Sequence, residues 1–366
     1  MQKIINGEKC HRELGNILRN VSAKKFLLVC GGSFEYLPVK EYLMGINIPF
    51  VKFNGFAVNP IYDDVVRGTE LFKKEDCDAI VAIGGGSSID VAKCIKLFAK
   101  MPNTENYLKQ EFFDSGIPLI AVPTTAGTGS ESTRYAVIYY EGRKQSVTHD
   151  SIIPDYALLD ASLLKTLPLY QKKCTLLDAL CQGIEAWWSV NSDSESFKYS
   201  EIAVKKIIKN YEAYLSDNDE SVISEILIAS NFAGRAINIT QTTAAHAMSY
   251  KLTSLFALPH GHAVAVCLPH IWRYMLNNPD RCIDSRGKTH LFDIFNRIAE
   301  AMDCPSPQAA VEFFINIITS LDINAPKATQ EELEILAASV NLDRLKNNPV
   351  ELDGETVYKL YAEITK

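Results

Sequence analysis

The sequence has no CxxC pair, and its nine cysteines are odd in number and scattered. That excludes a disulfide framework and predicts reduced, mostly buried thiols. Positive charge is in deficit, with 37 Lys and Arg against 44 Asp and Glu. A net charge of −7 lacks the electrostatic footprint for phosphate backbones, so a nucleic-acid partner is excluded. No apolar run approaches the roughly 18 residues of a membrane span, so no membrane partner is expected. The start, MQKIINGEKC, has no signal-peptide core, so the expected location is cytoplasmic. Internal repeats, low-complexity tracts and long linkers are also missing. What is present is ordinary globular composition, 47% hydrophobic and 22% charged, over 366 residues. At roughly 150 residues per domain, that length favours two domains.

The first half alternates between strand and helix signals. KFLLVC (25–30), PFVKF (49–53), AIVAI (79–83) and PLIAV (118–122) are short unbroken apolar runs, as parallel strands buried on both faces require. The segments between them are long enough for crossover helices, which predicts a doubly wound sheet. RYAVIYYEGRKQSV (134–147) reads as a hairpin turning at Glu141 and Gly142. From about residue 169 the pattern is helical throughout. LLDALCQGIEAWW places Leu177, Leu180, Ile184, Trp187 and Trp188 at helical spacing. The boundary therefore falls near Pro168, giving domains 1–168 and 169–366.

Two loops carry glycines beyond strand ends. AIVAI runs into Gly84, Gly85, Gly86, Ser87, Ser88, Ile89 and Asp90 and then a helix. Glycines let backbone N–H groups crowd an anion, and the positive end of the helix points at the same spot. Ser87 and Asp90 also have capping-box spacing. A tight strand-to-helix turn explains this segment equally well, since it is neither a Walker loop nor a GxGxxG fingerprint. PLIAV is followed by Pro123, Thr124, Thr125, Ala126, Gly127, Thr128, Gly129, Ser130 and Glu131. Open α/β sheets bind ligands beyond the strands' C-terminal ends, and two such loops together favour a dinucleotide.

A second constellation lies in the helical half. Asp178 and Gln182 are four apart and share a helix face; Glu185 extends a polar stripe on an otherwise apolar helix. Buried polar residues are costly unless they are paired or bind something. His246, His260 and His262 lie further along the chain. A carboxylate, an amide oxygen and imidazoles can hold Fe²⁺ or Zn²⁺. Singly, each histidine is as readily explained by packing, and His11, His149, His270 and His290 keep that reading.

With these residues in view, the chain resembles the iron-containing alcohol dehydrogenase family. GGGSSIDVAK, PTTAGTGSE, the DALxxxIEAW helix and the stretch from His246 to PHGHAVAVCLPH occur in the family's order and spacing, over nearly the whole length. The resemblance implies a Rossmann-like α/β N-terminal domain and an all-α C-terminal domain, the dehydroquinate synthase-like fold. It implies reversible hydride transfer between NAD(P)H and a carbonyl carbon, with a small aldehyde or alcohol as substrate, and a homodimer or larger homo-oligomer.

Carried over motif by motif, Gly85, Gly86, Ser87 and Asp90 meet the pyrophosphate. Thr124, Thr125, Thr128 and Ser130 line the ribose and nicotinamide side, and Lys144 lies near the nicotinamide. Asp178, His246 and His260 are metal ligands. Gln182 stands where the family usually has histidine and coordinates more weakly. Tyr250 stands where many relatives have another histidine, and is a candidate proton donor alongside His260 as a catalytic residue. Gly31 and Ser33, where NAD-preferring relatives have an acidic residue, accept the 2′-phosphate of NADP, a preference that nearby Glu35 can reverse. HAMSYKLTSLFALPHGHAVAVCLPHIW and TGSESTRYAVIYYEGRKQSV are similar to the branch linked to phosphonate metabolism, whose members reduce phosphonoacetaldehyde to 2-hydroxyethylphosphonate. An anionic tail needs cations, and Arg134, Lys251 and His262 are the candidates. Three alternatives stay open: a broad aldehyde reductase, another enzyme of the same fold, and a non-catalytic nucleotide-binding protein with a degenerate metal site.

Overall fold

All four apolar runs of the first half form strands in the computed structural model, which describes residues Gln2–Lys366. In chain order the first part contains β1 (Lys3–Asn6), α1 (Leu14–Asn20), β2 (Phe26–Cys30), α2 (Val39–Met44), β3 (Phe50–Phe53), α3 (Tyr62–Lys74), β4 (Ala79–Gly84), α4 (Gly86–Phe98), β5 (Leu119–Pro123), β6 (Tyr135–Tyr140), β7 (Arg143–Thr148) and β8 (Tyr156–Leu159). Six strands make one sheet in the order β1-β8-β5-β4-β2-β3, and every pairing is parallel. β2, β4 and β5 are buried residue by residue. The chain moves outward from β2 to β3 and then returns to β4 on the other side of β2. The carboxyl ends of β2 and β4 therefore flank the topological switch point, where open sheets of this kind place a ligand.

β6 and β7 form a separate antiparallel hairpin, with Glu141 and Gly142 at positive φ in its turn. Its apolar side joins the core: Ala136, Ile138 and Val147 pack in one cluster with Ile80, Ala82, Leu119, Ile89, Ala92 and Ile95. Each fully buried Ile, Leu or Val among them contributes about 1.5–3 kcal/mol.

The second part is helical: α5 (Leu169–Trp188), α6 (Ser194–Ser216), α7 (Glu220–Thr240), α8 (Ala244–Phe256), α9 (His260–Asn277), α10 (Gly287–Ala301), α11 (Pro307–Ser320), α12 (Gln330–Ser339) and α13 (Gly354–Ile364), with a short 3-10 helix at Leu342–Asn347. From Leu176 to Trp188 every residue of α5 is buried, which identifies it as a central helix covered on all sides. Trp188 at its end meets Trp272 of α9 edge-on at 5.4 Å and Phe295 of α10 at 6.1 Å.

The chain divides into two compact units, Met1–Leu167 with Asp217–Asn231, and Pro168–Ser216 with Phe232–Lys366. Residues Asp217–Asn231 thus lie beyond the expected 168/169 boundary yet group with the first unit. They include the first half of α7. Sequence inspection finds no run long enough for a membrane span, yet α7 is long and apolar enough by length and composition. Over half of that stretch is buried inside the protein. Asn231 within it donates to the Glu131 carboxylate (3.0 Å) and the Ser132 hydroxyl (2.6 Å) of the first unit. All nine cysteines are free and seven are buried, as the scattered spacing predicts.

Candidate metal centre and glycine loops

Three helices of the second unit supply the metal-type residues. α5 carries Asp178, Gln182 and Glu185, all buried. α8 carries His246 in its first turn, and α9 begins at His260. A glycine sets how closely α9 approaches α5. A Cβ on Gly261 would lie 1.9 Å from the Cys174 carbonyl oxygen and 2.9 Å from the Cβ of Asp178. Only glycine lets the α9 N-terminus rest on the α5 backbone at that point.

The result is convergence. Donor atoms of Asp178, His246 and His260 all lie within 4.8 Å of one another. His246 Nε2 is 3.4 Å from Asp178 Oδ1, and His260 Nε2 is 3.9 Å from the same oxygen. Donors that each bond one ion at about 2.1 Å take separations of this order. Asp178 and His246 are closed off, whereas the His260 side chain is 36% exposed, so the cluster has one open side. Gln182 sits one turn beyond Asp178 on the same face of α5 and is buried.

Glu185 orients the cluster. Its Oε2 accepts from Nδ1 of His246. Its Oε1 accepts from the Thr243 hydroxyl (2.7 Å) and from the backbone N–H groups of Thr243 and Ala245 (both 3.1 Å). Trp188 Nε1 donates to the same Thr243 hydroxyl at 2.9 Å. One carboxylate from α5 thereby caps α8 and anchors Nδ1 of His246, which leaves Nε2 facing Asp178. Nε2 is buried and makes no hydrogen bond. Burial pushes the His246 imidazolium down, but Glu185 and Asp178 outweigh it and lift the group to about 10. The surroundings favour positive charge at this spot, and the donor set fits a divalent cation. Sequence inspection sees Glu185 only as part of a polar stripe. Its partners lie 58 to 61 residues away, and Thr243 and Trp188 carry no local signal.

Tyr250 lies one turn after His246, and its ring stacks on His260 at 5.8 Å with a 12° interplanar angle. Lys251 is the next residue of α8 and is half-buried. His262 is not open to a substrate, which corrects its assignment as an anion-binding group. Its Nδ1 meets the Tyr170 hydroxyl at 2.9 Å, and its Nε2 meets the Asn324 carbonyl at 2.8 Å. Both nitrogens are spent on tying α9 to its neighbours.

The loop residues belong to the first unit. Gly31 follows β2, and a Cβ there would lie 3.8 Å from the Ser88 hydroxyl of α4, so the two loops at the switch point adjoin. Ser33 lies in the short turn just beyond. A Cβ on Gly86 would stand 2.9 Å from Thr128, so glycine is what lets the loops after β4 and β5 meet. No side chain caps α4, whose N-cap is Gly85, and the capping box expected of Ser87 and Asp90 is not made. An uncapped helix N-terminus lined by half-buried Gly85, Gly86, Ser87, Thr125 and Thr128 suits an anion such as a pyrophosphate. Thr124 is buried, its N–H bonded to the Gly84 carbonyl at 3.0 Å.

Asp90 and Ser130 face each other. The Ser130 hydroxyl donates to Asp90 Oδ1 at 2.6 Å, and the Val137 N–H donates to Oδ2 at 2.9 Å. Buried Lys93 donates to Ser130 (3.1 Å), Thr133 (3.0 Å) and the Tyr135 carbonyl (2.8 Å). Asp90 and Ser130 thereby tie the loop after β5 and the first residues of the hairpin to α4. Arg134 pairs with Asp150 at 3.3 Å, and Lys144 faces Tyr139 across the hairpin. Glu35, beyond β2, is bound by Lys40 (2.7 Å) and Lys52, which hold its carboxyl down at about 2.

Two family models match the chain. "Iron-containing alcohol dehydrogenase" covers residues 1–161, and "Fe-containing alcohol dehydrogenase family, C-terminal" covers residues 173–365. The chain is 33% identical over 317 residues to a phosphonoacetaldehyde reductase of Streptomyces viridochromogenes, covering 82% of this chain and 80% of that one. It is 31% identical over 329 residues to a 1,3-propanediol dehydrogenase of Citrobacter freundii, covering 88% and 82%. Its fold matches a sulfoacetaldehyde reductase from Bifidobacterium kashiwanohense, solved in complex with NAD+, with a TM-score of 0.90, 24% identity and coverage of 100% and 97%.

Proposed function

The chain belongs to the iron-containing alcohol dehydrogenase family, and from that premise we propose that it is an NADPH-preferring reductase of small aldehydes, phosphonoacetaldehyde among them. The enzyme is a metal-dependent, NAD(P)-dependent alcohol dehydrogenase that moves hydride between a carbonyl carbon and nicotinamide. The observation that carries the metal-dependent reading is the convergence of Asp178, His246 and His260, with His246 locked by Glu185.

We assign the metal to Asp178, His246 and His260, with Gln182 beside them. Two imidazoles and one carboxylate without thiolate suit Fe²⁺, with Zn²⁺ as the competitor. When bound, the ion supplies Lewis acidity toward a carbonyl oxygen and the reduced nicotinamide supplies hydride. The chain's own residues do the rest. Asp178 contributes the negative charge that holds a cation. Glu185 keeps His246 in one tautomer. Tyr250, stacked beside His260, holds the proton that goes to the new alcohol. Gly85, Gly86 and Ser87 at the bare α4 N-terminus bind the pyrophosphate, with Thr125 and Thr128 alongside and Lys144 toward the nicotinamide.

NADPH preference rests on the residues just beyond β2. Gly31, Gly32 and Ser33 leave room, and the nearby carboxylate of Glu35 is neutralised by two lysines. The residual positive charge suits a 2′-phosphate. Nine free cysteines accord with a reducing, cytoplasmic setting, and the family resemblance carries a homodimer or larger homo-oligomer with it.

The test is NADPH and NADH oxidation over propanal, 3-hydroxypropanal and phosphonoacetaldehyde, with Fe²⁺ or Zn²⁺ loaded. Turnover with NADPH and loss of it in His260→Ala, with cofactor binding retained, supports the reading. Equal turnover by metal-free protein overturns it.

A further inference from the structure

We propose that Arg344 anchors the far end of the substrate, and that the aldehyde taken is a short one ending in a tetrahedral oxyanion of the phosphonate or sulfonate type. This rests on the reading of Asp178, His246 and His260 as the centre that handles the carbonyl end.

The first observation is position. Tyr250 stacks on the ring of His260 at 5.8 Å. Arg344, from the 3-10 helix Leu342–Asn347, sets its guanidinium over the same Tyr250 ring, 5.4 Å from the centroid. One aromatic ring is thus in contact with both the exposed metal-type histidine and a permanent cation. The two groups are 84 residues apart in sequence (344 against 260), so no local pattern announces the pairing.

The second observation is that this cation is unspent. The second unit contains six arginines. Arg235 bonds the Tyr199 hydroxyl, Arg273 pairs with Glu312, Arg281 with Glu351 and Asp353, Arg286 with Asp284, and Arg297 with Glu201. Arg344 alone has no guanidinium hydrogen bond or ion pair among the described residues. The adjacent carboxylate does not serve it, because Asp343 pairs with Lys346 at 2.7 Å.

Chemistry then points to the ligand. The ring contact uses none of the five guanidinium N–H donors in a hydrogen bond, so the fork stays available to a ligand. Such a fork matches two oxygens of a tetrahedral oxyanion. The contact with Tyr250 holds the side chain near one place before the ligand arrives, which lowers the ordering cost of binding. An aldehyde with an alkyl tail, such as propanal, offers these donors no acceptor at its far end.

Reduction leaves the charge of the tail unchanged, so its contact is equally strong in the ground and transition states. Its loss therefore appears in KM and spares kcat. The test compares wild type, Arg344→Gln and Arg344→Lys on phosphonoacetaldehyde, sulfoacetaldehyde and propanal, using metal-loaded enzyme and NADPH. Arg344→Gln is expected to raise KM for an anionic aldehyde by about 10-fold to 100-fold, with propanal unchanged. Arg344→Lys, which keeps charge without the fork, recovers part of the loss. Calorimetric binding of 2-hydroxyethylphosphonate weakens in parallel. A loss on either anionic aldehyde supports the anchor, and the larger loss identifies the head group. An equal loss on propanal, or no loss at all, overturns it and leaves the reductase reading intact. A wild-type enzyme inert toward all three aldehydes overturns the reductase reading itself.

Discussion

His246 donates a hydrogen bond from Nδ1 to Glu185, and the same carboxylate holds the first backbone amides of the helix that carries His246. A ligand and the helix presenting it are fixed by one side chain from α5. Glu185→Gln keeps the volume and removes the charge. Metal affinity is expected to fall about 10-fold to 100-fold, read by competition with a chelating dye, while NADPH binding is unchanged. Unchanged metal affinity would show that the Glu185 carboxylate is dispensable to His246.

Gly261 tests the seat of α9. An added Cβ meets the Cys174 carbonyl at 1.9 Å, and neither helix backbone can give way cheaply. Gly261→Ala is expected to cost about 3 kcal/mol or more in urea unfolding and to lower bound metal, since His260 and Asp178 are forced apart. A variant of wild-type stability and metal content would show that α9 can shift without cost.

Lys93 carries a pH signature. Burial pushes its ammonium down to about 8, with Asp90 and Glu131 limiting the fall. The unfolded chain holds that proton more tightly, with an ordinary value of 10.5. Below about pH 8 both states are protonated and the burial penalty is complete; from there to about pH 10.5 the native state releases its proton first and gains stability relative to the unfolded chain. The melting temperature of wild type minus that of Lys93→Met is therefore expected to rise between about pH 8 and about pH 10. A flat difference would show that the buried ammonium holds its proton as tightly as the unfolded chain does.

The central strands are legible in the sequence because burial on both faces leaves no room for polar residues, and β2, β4 and β5 are such runs. β1 is not, since KIIN is short, polar and mostly exposed at the sheet edge. β8 escapes notice because YALL is four residues long with no punctuation of its own. The hairpin turn at Glu141 and Gly142 comes from local turn chemistry. Within the site, Asp178, His246 and His260 are singled out by the family resemblance of the motifs that carry them, which spacing alone does not do. Spacing misleads at Asp90, where a partner 40 residues away, Ser130, wins over the local cap. It is silent on Arg344, whose guanidinium rests on a ring from another helix.

The route of the chain through α7 bears on any attempt to use its parts separately. The first half of that helix belongs with the sheet, and Asn231 at the changeover supplies the donor for the buried Glu131 carboxylate. A fragment ending at Leu167 would strand that acid without its amide, and the remainder would begin life with a half-orphaned helix. Recombination at a single junction is therefore a poor way to transplant either portion; a chimaera has to exchange the noncontiguous stretch as well.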